Sequence, residues 1–560
     1  MRSGTAGEVA LTAAVGEVRV EVGAGLAART GEVLDPLVRA GVPAALMAKS
    51  PGLWGPAAER EAAGRLGWVD AAVPDPGLPP RVRAVREQVA PFDELVLVGI
   101  GGSSLAAEVV ADAHGRKPTV LDTTDCHQVA AVLRGPLDRT LVVIASKSGE
   151  TVETRCVYEV LWEAFAAAGG PAFAAERFVA VTDPGSVLAR SASERVFPAF
   201  LGDATVGGRF SALTPFGLVP AGLLGVDVAA VVEPAARLAD ALGRSEDNPG
   251  LLLGAALGAA ALAGADKLYL RSAPDFAGLF GTWAEQLLAE STGKDGRGIL
   301  PVVDARPPTG AGPDTVTALV AGSVQDGAAT ADLRTYGPLG TQFLLWEYAT
   351  AIAGRVLGIN PFDQANVQEA KDKTRAILAG RTGSPHRAER DARTFVEGAV
   401  EVGVDELTDR TLSGVDSLRG LFDGLTALLG RRDYLAVTAY LDRYEDGAAS
   451  ELRELLARRT GRPVTFGWGP RYLHSSGQYH KGGPRQGVFV VITGEVKHDI
   501  PVPGYAHTLA EIQRAQARGD LEILRGRGRP VVRVHLGDRQ EGVHQLLEAL
   551  GGAGTGPEGS

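Results

Sequence analysis

Apolar positions along the chain fall into short continuous runs separated by longer helical patterns. Glu94–Ile100 (ELVLVGI) predicts a strand that ends in glycine, and a helix-like stretch follows from Ser104. Thr119–Leu121 is a second short strand candidate. Thr140–Ala145 (TLVVIA) predicts another strand, with a loop and a helix reaching about Ala168 behind it. Arg177–Thr182 (RFVAVT) predicts one more, stopped by Asp183-Pro184-Gly185. Continuous apolar strands separated by helices predict a parallel sheet covered on both faces. Ligands of such sheets sit beyond the carboxyl ends of the strands.

A second unit of the same kind begins near Asn248. A helix at 250–265 precedes the strand KLYL (267–270). A helical stretch to Glu290, the strand GILPVVD and a helix from about Thr341 to Leu357 follow. Residues 1–90 read as helical packing with a Pro-rich connection at 74–80. The expected fold is α/β, two doubly wound parallel-sheet domains at 91–245 and 246–380, with an N-terminal helical region at 1–90. Residues 381–550 form a mixed C-terminal region with amphipathic helices across 416–460 and strands VFVVIT and VVRVHL. Residues 551–560 read as a disordered tail.

Composition narrows the class. The 560 residues exceed one ordinary core, and 45% hydrophobic with 22% charged residues is globular usage. The 73 glycines are about twice average usage, and several sit in the turns described next. A net charge of -11 argues against nucleic-acid binding but permits a local pocket for an anion. Cys126 and Cys156 make no disulfide framework and suit a reducing compartment. The N-terminus lacks a signal pattern. The longest apolar stretch, Leu251–Ala265, falls short of the roughly twenty residues of a membrane span and predicts a buried core helix. A cytoplasmic protein without membrane contact is expected.

Two turns share a design. Gly99-Ile100-Gly101-Gly102-Ser103-Ser104 follows one strand, and Ser146-Lys147-Ser148-Gly149-Glu150-Thr151 follows another. Backbone N–H groups at a helix start, flanked by hydroxyls, make an anion site. Either turn alone is as readily a helix cap; the pair on adjacent strands favours phosphate. SKSGET brings three hydroxyls and a Lys within six residues, which suits a phosphate monoester. Neither a G-x-x-x-x-G-K-[ST] loop nor a G-x-G-x-x-G turn is present, which disfavours nucleoside triphosphates and dinucleotides.

GIGGSS, ASKSGETVET, GGRFS (207–211), AESTGK (289–294), NPFDQANVQEAK (360–371) and HSSGQ (474–478) together resemble the signature segments of the glucose-6-phosphate isomerase (phosphoglucose isomerase) family. The region from about 465 also resembles the isomerase portion of fused transaldolase–isomerase proteins. The resemblance implies that 91–245 and 246–380 are sugar-isomerase (SIS-type) domains and that the C-terminal region contributes to the site. It implies interconversion of glucose 6-phosphate and fructose 6-phosphate by ring opening and a cis-enediol, without cofactor. No His/Cys/Asp cluster has metal-ligand spacing, so no metal is expected.

The resemblance also implies roles. Glu290 moves the proton between C1 and C2, and Arg209 stabilises the enediolate. Gln364 and Lys371, two helical turns apart, contact substrate and assist ring opening. His474 handles the ring-opening proton; its segment follows the FDQ…K segment here, whereas most relatives have the reverse order, and His480 is the rival. Gly102, Ser103, Ser146, Lys147, Ser148, Thr151 and Gly208 line the substrate, with Lys147 acting mainly through its backbone N–H. Thr292 stands where the family has Asn, and Ser104 where many members carry Asp. A neighbouring subunit donates the family's histidine, which implies a homodimer. Two other readings stay open: an isomerase of a related sugar phosphate such as mannose 6-phosphate, and a non-catalytic sugar-phosphate sensor.

Overall fold

Strands Glu94–Val98, Thr119–Leu121, Thr140–Ala145, Phe178–Thr182 and Ala199–Leu201 form a five-stranded sheet in which every neighbouring pair is parallel. Strand Glu94–Val98 has Thr119–Leu121 on one side and Thr140–Ala145 on the other. The chain therefore reverses direction across the sheet between Glu94–Val98 and Thr140–Ala145. GIGGSS and SKSGET follow those two strands, so the topology brings both turns to the crevice where α/β ligands bind.

The computed structural model describes residues 8–73, 75–308, 312–324, 331–363, 365–380 and 391–551. The first of its two units comprises Met1–Asp122, Gly135–Asp304 and Thr315–Gln364; the second comprises Thr123–Arg134, Ala305–Asp314 and Ala365–Ser560. The expected tail and Gln364 lie outside the described residues, apart from Gly551.

The first unit holds a second sheet. Strands Lys267–Ser272, Leu300–Val303, Thr315–Ala321 and Leu333–Tyr336 run parallel. A hairpin, Val9–Val15 and Val18–Gly23, adds to its edge antiparallel to Leu333–Tyr336. Helix Pro249–Leu262 packs beside helix Leu339–Leu357, both largely buried. The glycines that interrupt the 251–265 apolar run permit that contact: a Cβ on Gly254 would meet the Ala349 carbonyl oxygen at 2.6 Å.

The second unit has its own core and its own six-stranded sheet. Strands Tyr434–Tyr440, Val464–Trp468, Gly487–Gly494 and Val531–Leu536 are parallel, and Arg393–Glu397 and Val400–Val404 extend it antiparallel.

The α/β class with parallel sheets agrees with the sequence pattern, and three details do not. Residues 1–90 were expected to be helical; they begin with the hairpin, whose second strand VRVEVG alternates as a strand does. The 416–460 stretch was expected to be amphipathic helix; strand Tyr434–Tyr440 lies between helices Leu418–Leu428 and Leu452–Thr460. That strand is central and buried on both faces, so it lacks the alternation that marks a strand. Strands Ala199–Leu201, Thr315–Ala321, Leu333–Tyr336, Arg393–Glu397, Val400–Val404 and Val464–Trp468 lie outside the expected set. Among the described residues no helix is long and apolar enough to cross a membrane.

Candidate active site

Strand Thr140–Ala145 ends at Ser146, and helix Val152–Ala175 starts after Thr151. Within this turn Ser146 Oγ accepts from the Gly149 N–H at 3.2 Å, and Ser148 Oγ accepts from the Glu150 N–H at 3.1 Å. Among the described residues the N–H groups of Lys147, Ser148 and Thr151 have no protein acceptor. The turn thus presents free donors at the positive end of a long helix. The Lys147 ammonium points elsewhere: it donates to Asp183 at 2.9 Å and to the Asp203 carbonyl at 3.1 Å.

The other turn, Gly101–Ser103, is a single 3-10 turn pressed against the Gly208–Phe210 turn. A Cβ on Gly102 would lie 2.1 Å from the Gly208 carbonyl oxygen. Ser211 Oγ bridges the two turns by donating to the Gly102 carbonyl at 3.1 Å and the Gly208 carbonyl at 2.6 Å. Ser103 is half-buried at the rim.

This contact fixes Arg209. Its guanidinium is buried and fully engaged: Nε donates to Ser291 Oγ at 2.8 Å, and Nη2 donates to the carbonyls of Pro361 at 2.6 Å and Asp363 at 2.9 Å. Nη1 faces Glu290 Oε1 at 3.0 Å, with both side chains about 95% buried. Glu290 sits in the last turn of helix Phe280–Thr292, where Gln286 Nε2, one turn earlier, donates to its Oε2 at 3.1 Å. One carboxylate oxygen therefore meets a permanent cation and the other a neutral donor. In a dry setting such contacts are worth far more than in water.

Two residues the sequence reading left without a role belong to this cluster. Gln286 was hidden because its signal is only helical spacing from Glu290. Lys294 was visible within AESTGK. It is buried, donates to the carbonyls of Asn360 at 2.7 Å and Asp363 at 2.8 Å, and pairs with the Asp363 carboxylate at 2.6 Å. Burial, and then the Arg209 charge, push its pKa down to about 7, against the pull of Asp363. Thr292, in place of the family's Asn, caps the same junction: its hydroxyl donates to the Leu288 carbonyl at 2.7 Å and accepts from the Ile299 N–H at 2.9 Å.

Lys371 and His474 belong to the second unit. Helix Ala365–Leu378 carries Lys371, half-buried, and packs on the 3-10 turn Arg471–His474 and on helices Gly477–Gly482 and Leu509–Gly526. His474 ends that 3-10 turn and is half-buried. The segment behind it is anchored by a buried network. The Tyr472 hydroxyl donates to Asp520, Tyr440 OH lies 3.2 Å from Tyr472 OH, and Lys481 Nζ pairs with Asp520 at 2.6 Å. His480 is a core side chain: 2% exposed, stacked on Tyr434, with Nδ1 2.9 Å from the Tyr434 hydroxyl. Burial, with Lys481 and Arg529 nearby, brings its pKa down to about 3.

A phosphoglucose isomerase model matches residues 87–294. A probable glucose-6-phosphate isomerase of Haloarcula marismortui is 36% identical over 218 residues, 38% of this chain and 50% of that protein. A glucose-6-phosphate isomerase of Citrifermentans bemidjiense is 38% identical over 229 residues, 37% of this chain and 42% of that protein. The chain thus spans about half the length of the curated relatives it matches. A crystal structure of a glucose-6-phosphate isomerase from Chlamydia trachomatis shares the fold over 67% of this chain and 90% of its own, with TM-score 0.51 and 19% identity. A hypothetical protein from Thermus thermophilus shares it over 64% and 100%, with TM-score 0.55 and 24% identity. The matched segment contains the Gly99–Ser104 and Ser146–Thr151 turns, Arg209 and Glu290, whereas Lys371 and His474 lie beyond it. Residues 87–294 are thus similar to phosphoglucose isomerases.

Proposed function

We propose that the chain is an aldose–ketose isomerase that interconverts glucose 6-phosphate and fructose 6-phosphate. The observation that carries this reading is the buried pair of Glu290 and Arg209, 3.0 Å apart, with Arg209 on the turn that packs against Gly101–Ser103. The phosphate occupies the Ser146–Thr151 turn, held by Ser146, Ser148, Thr151 and the Lys147 N–H, far from the reacting carbons. Binding energy there is available to orient the sugar. Gly102, Ser103 and Gly208 let the backbone approach the chain of hydroxyls. Gln364 contacts the same sugar.

His474 and Lys371 open the ring, one group delivering a proton to the ring oxygen as the anomeric hydroxyl loses its own. The Glu290 carboxylate then takes the C2 proton of the open aldose. The C–H electron pair forms the C1–C2 double bond of a cis-enediol, and the carbonyl electrons move to O1. Arg209 sits where that negative charge develops. A proton passes from O2 to O1; the O2 electrons then form the C2 carbonyl as the C1–C2 double-bond pair takes the proton back from Glu290 at C1, which gives the ketose, and the ring closes. Gln286 keeps the carboxylate oriented through the exchange. The burial of His480 favours His474 as the ring-opening group. The family's histidine acts across subunits, so the enzyme works as a homodimer in the cytoplasm.

The test is coupled isomerase assay of the purified chain on fructose 6-phosphate, beside Glu290→Gln. General acid–base groups contribute about 10²- to 10⁴-fold, so kcat falls by that factor while sugar-phosphate binding stays. Normal turnover in the variant sinks the assignment. An inactive wild type that still binds sugar phosphate favours the sensor reading, and preference for mannose 6-phosphate in a competition assay favours the related isomerase. A monomer by sizing at assay concentration removes the trans-acting histidine.

A further inference from the structure

The second unit's sheet has a reversal point of its own. From strand Tyr434–Tyr440 the chain passes to Val464–Trp468 on one side and then to Gly487–Gly494 on the other. The crevice beyond the carboxyl ends of Tyr434–Tyr440 and Gly487–Gly494 is where an open α/β sheet takes a ligand. A cleft of about 230 Å³ lies there, between the sheet end and helix Leu509–Gly526.

Its floor is polar where the strands are otherwise apolar. Glu401 pairs in register with His535, His535 with Thr493, and Thr493 with Tyr440. Residues in register point to the same face, so four hydrogen-bonding side chains form one row across four strands. Thr493 Oγ1 and His535 Nδ1 are 3.0 Å apart, and His535 Nε2 lies 3.6 Å from Glu495. Burial, and then Arg533, hold His535 below its ordinary pKa, against the pull of Glu495 and Glu401. From the helix side come Gln513, Arg514 and Arg518.

The charges state what the cleft would take. Arg533 is committed to Asp391 at 2.9 Å and Glu401 at 2.5 Å, and Arg518 to Glu522 at 2.8 Å. Among the described residues Arg514, exposed at the mouth, has no ion-pair or hydrogen-bond partner. The wall therefore offers one uncommitted cation, and the floor offers acceptors and donors suited to hydroxyl groups. The volume lies below the roughly 300 Å³ at which pockets for drug-sized ligands begin.

We propose that this cleft is a second binding site, for a small hydroxylated anion such as a phosphorylated or carboxylated polyol. Arg514 meets the anionic group, and Thr493 and Glu401 meet the hydroxyls. The site uses none of the residues assigned to isomerisation, so it stands or falls separately from that reading.

Calorimetric titration of the full chain with glycerol 3-phosphate and with gluconate tests it, the two probes separating a phosphate from a carboxylate preference. At least one probe binds, and Arg514→Ala and Thr493→Val each weaken it tenfold or more. Arg514 is exposed on a helix, so its substitution leaves the fold intact. The double variant Ser148→Ala/Thr151→Val, in the first unit's anion turn, leaves that binding unchanged. The proposal is overturned if neither probe binds by about 10 mM, which corresponds to about -2.7 kcal/mol. It is equally overturned if binding survives both cleft variants, or if only the anion-turn variant abolishes it.

Discussion

At the scale of single residues, burial separates two side chains that the sequence leaves alike. His474 and His480 are six positions apart and indistinguishable by type, yet one is half-buried at the end of a turn and the other is enclosed by Tyr434 and Phe489. With a folded pKa of about 3 against 6.5 unfolded, His480 stays neutral in the fold while the unfolded chain protonates. Stability is therefore unaffected above pH 6.5 and is lost as pH falls from there towards 3. Melting curves of wild type and His480→Gln should converge in slope above pH 7, with the variant losing less on acidification. His474→Ala should leave that profile intact and slow the ring forms far more than an open-chain substrate. Glu347 supplies the opposite sign. It is buried within helix Leu339–Leu357, and desolvation raises its pKa well above the ordinary carboxylate value despite the Ala212 N–H. With its folded pKa raised, its contribution is favourable below its unfolded pKa and is lost as pH rises through the folded value. Glu347→Gln mimics the neutral acid. It should melt at the wild-type temperature near pH 4 and higher than wild type at pH 8, by calorimetry at the two pH values. Nothing in the sequence distinguished this glutamate from a solvated one.

At the scale of elements, the sequence was legible wherever a turn had to do something unusual. GIGGSS, SKSGET and GGRFS stand out because their residues are forced by close approach and by free donors. The structure shows the reason in the 2.1 Å that a Cβ on Gly102 would leave to the Gly208 carbonyl. Backbone cannot yield to that clash without moving the Gly208–Phe210 turn and Arg209 with it. Gly102→Ala should therefore lower kcat by roughly a hundredfold, the cost of misplacing a catalytic group by about 1 Å, with a smaller change in melting temperature. A variant with normal kcat and only a lower melting temperature would mean that the turn contact serves folding alone. Elements whose residues obey no special constraint were the ones misread. Tyr434–Tyr440, buried on both faces, offers a helix and a strand equally good patterns, and only its neighbours Val464–Trp468 and Gly487–Gly494 decide the matter. Gln286 escaped for a related reason: its role exists only once Glu290 lies one turn away.

At the scale of the whole molecule, the least legible feature is a long-range one. Val22 pairs with Leu333, and Val20 with Thr335, so the first sheet strands of the chain complete a sheet whose other members come some 300 residues later (333 minus 22 is 311). No local pattern announces such a partner, which is why the N-terminal region read as helical packing. The pairing has a physical consequence. Val18, Val20 and Val22 are at most 5% exposed and belong to the first unit's core, and they pack with helices Ala24–Arg39 and Pro249–Leu262. Removing them uncovers the edge of strand Leu333–Tyr336, a row of unpaired backbone groups that invites pairing between copies. Each fully buried valine also contributes about 1.5–3 kcal/mol of transfer free energy, a large fraction of the 5–15 kcal/mol that holds a domain folded. Deletion of residues 1–23 should therefore yield mostly aggregated protein, with any soluble fraction eluting as large species on a sizing column. A charged substitution at the same edge, Thr335→Lys in the deleted chain, should recover part of the solubility by blocking edge pairing without restoring the lost core. If the deleted chain is instead soluble, dispersed and unchanged in melting temperature, the hairpin is an accessory and the sheet is complete without it.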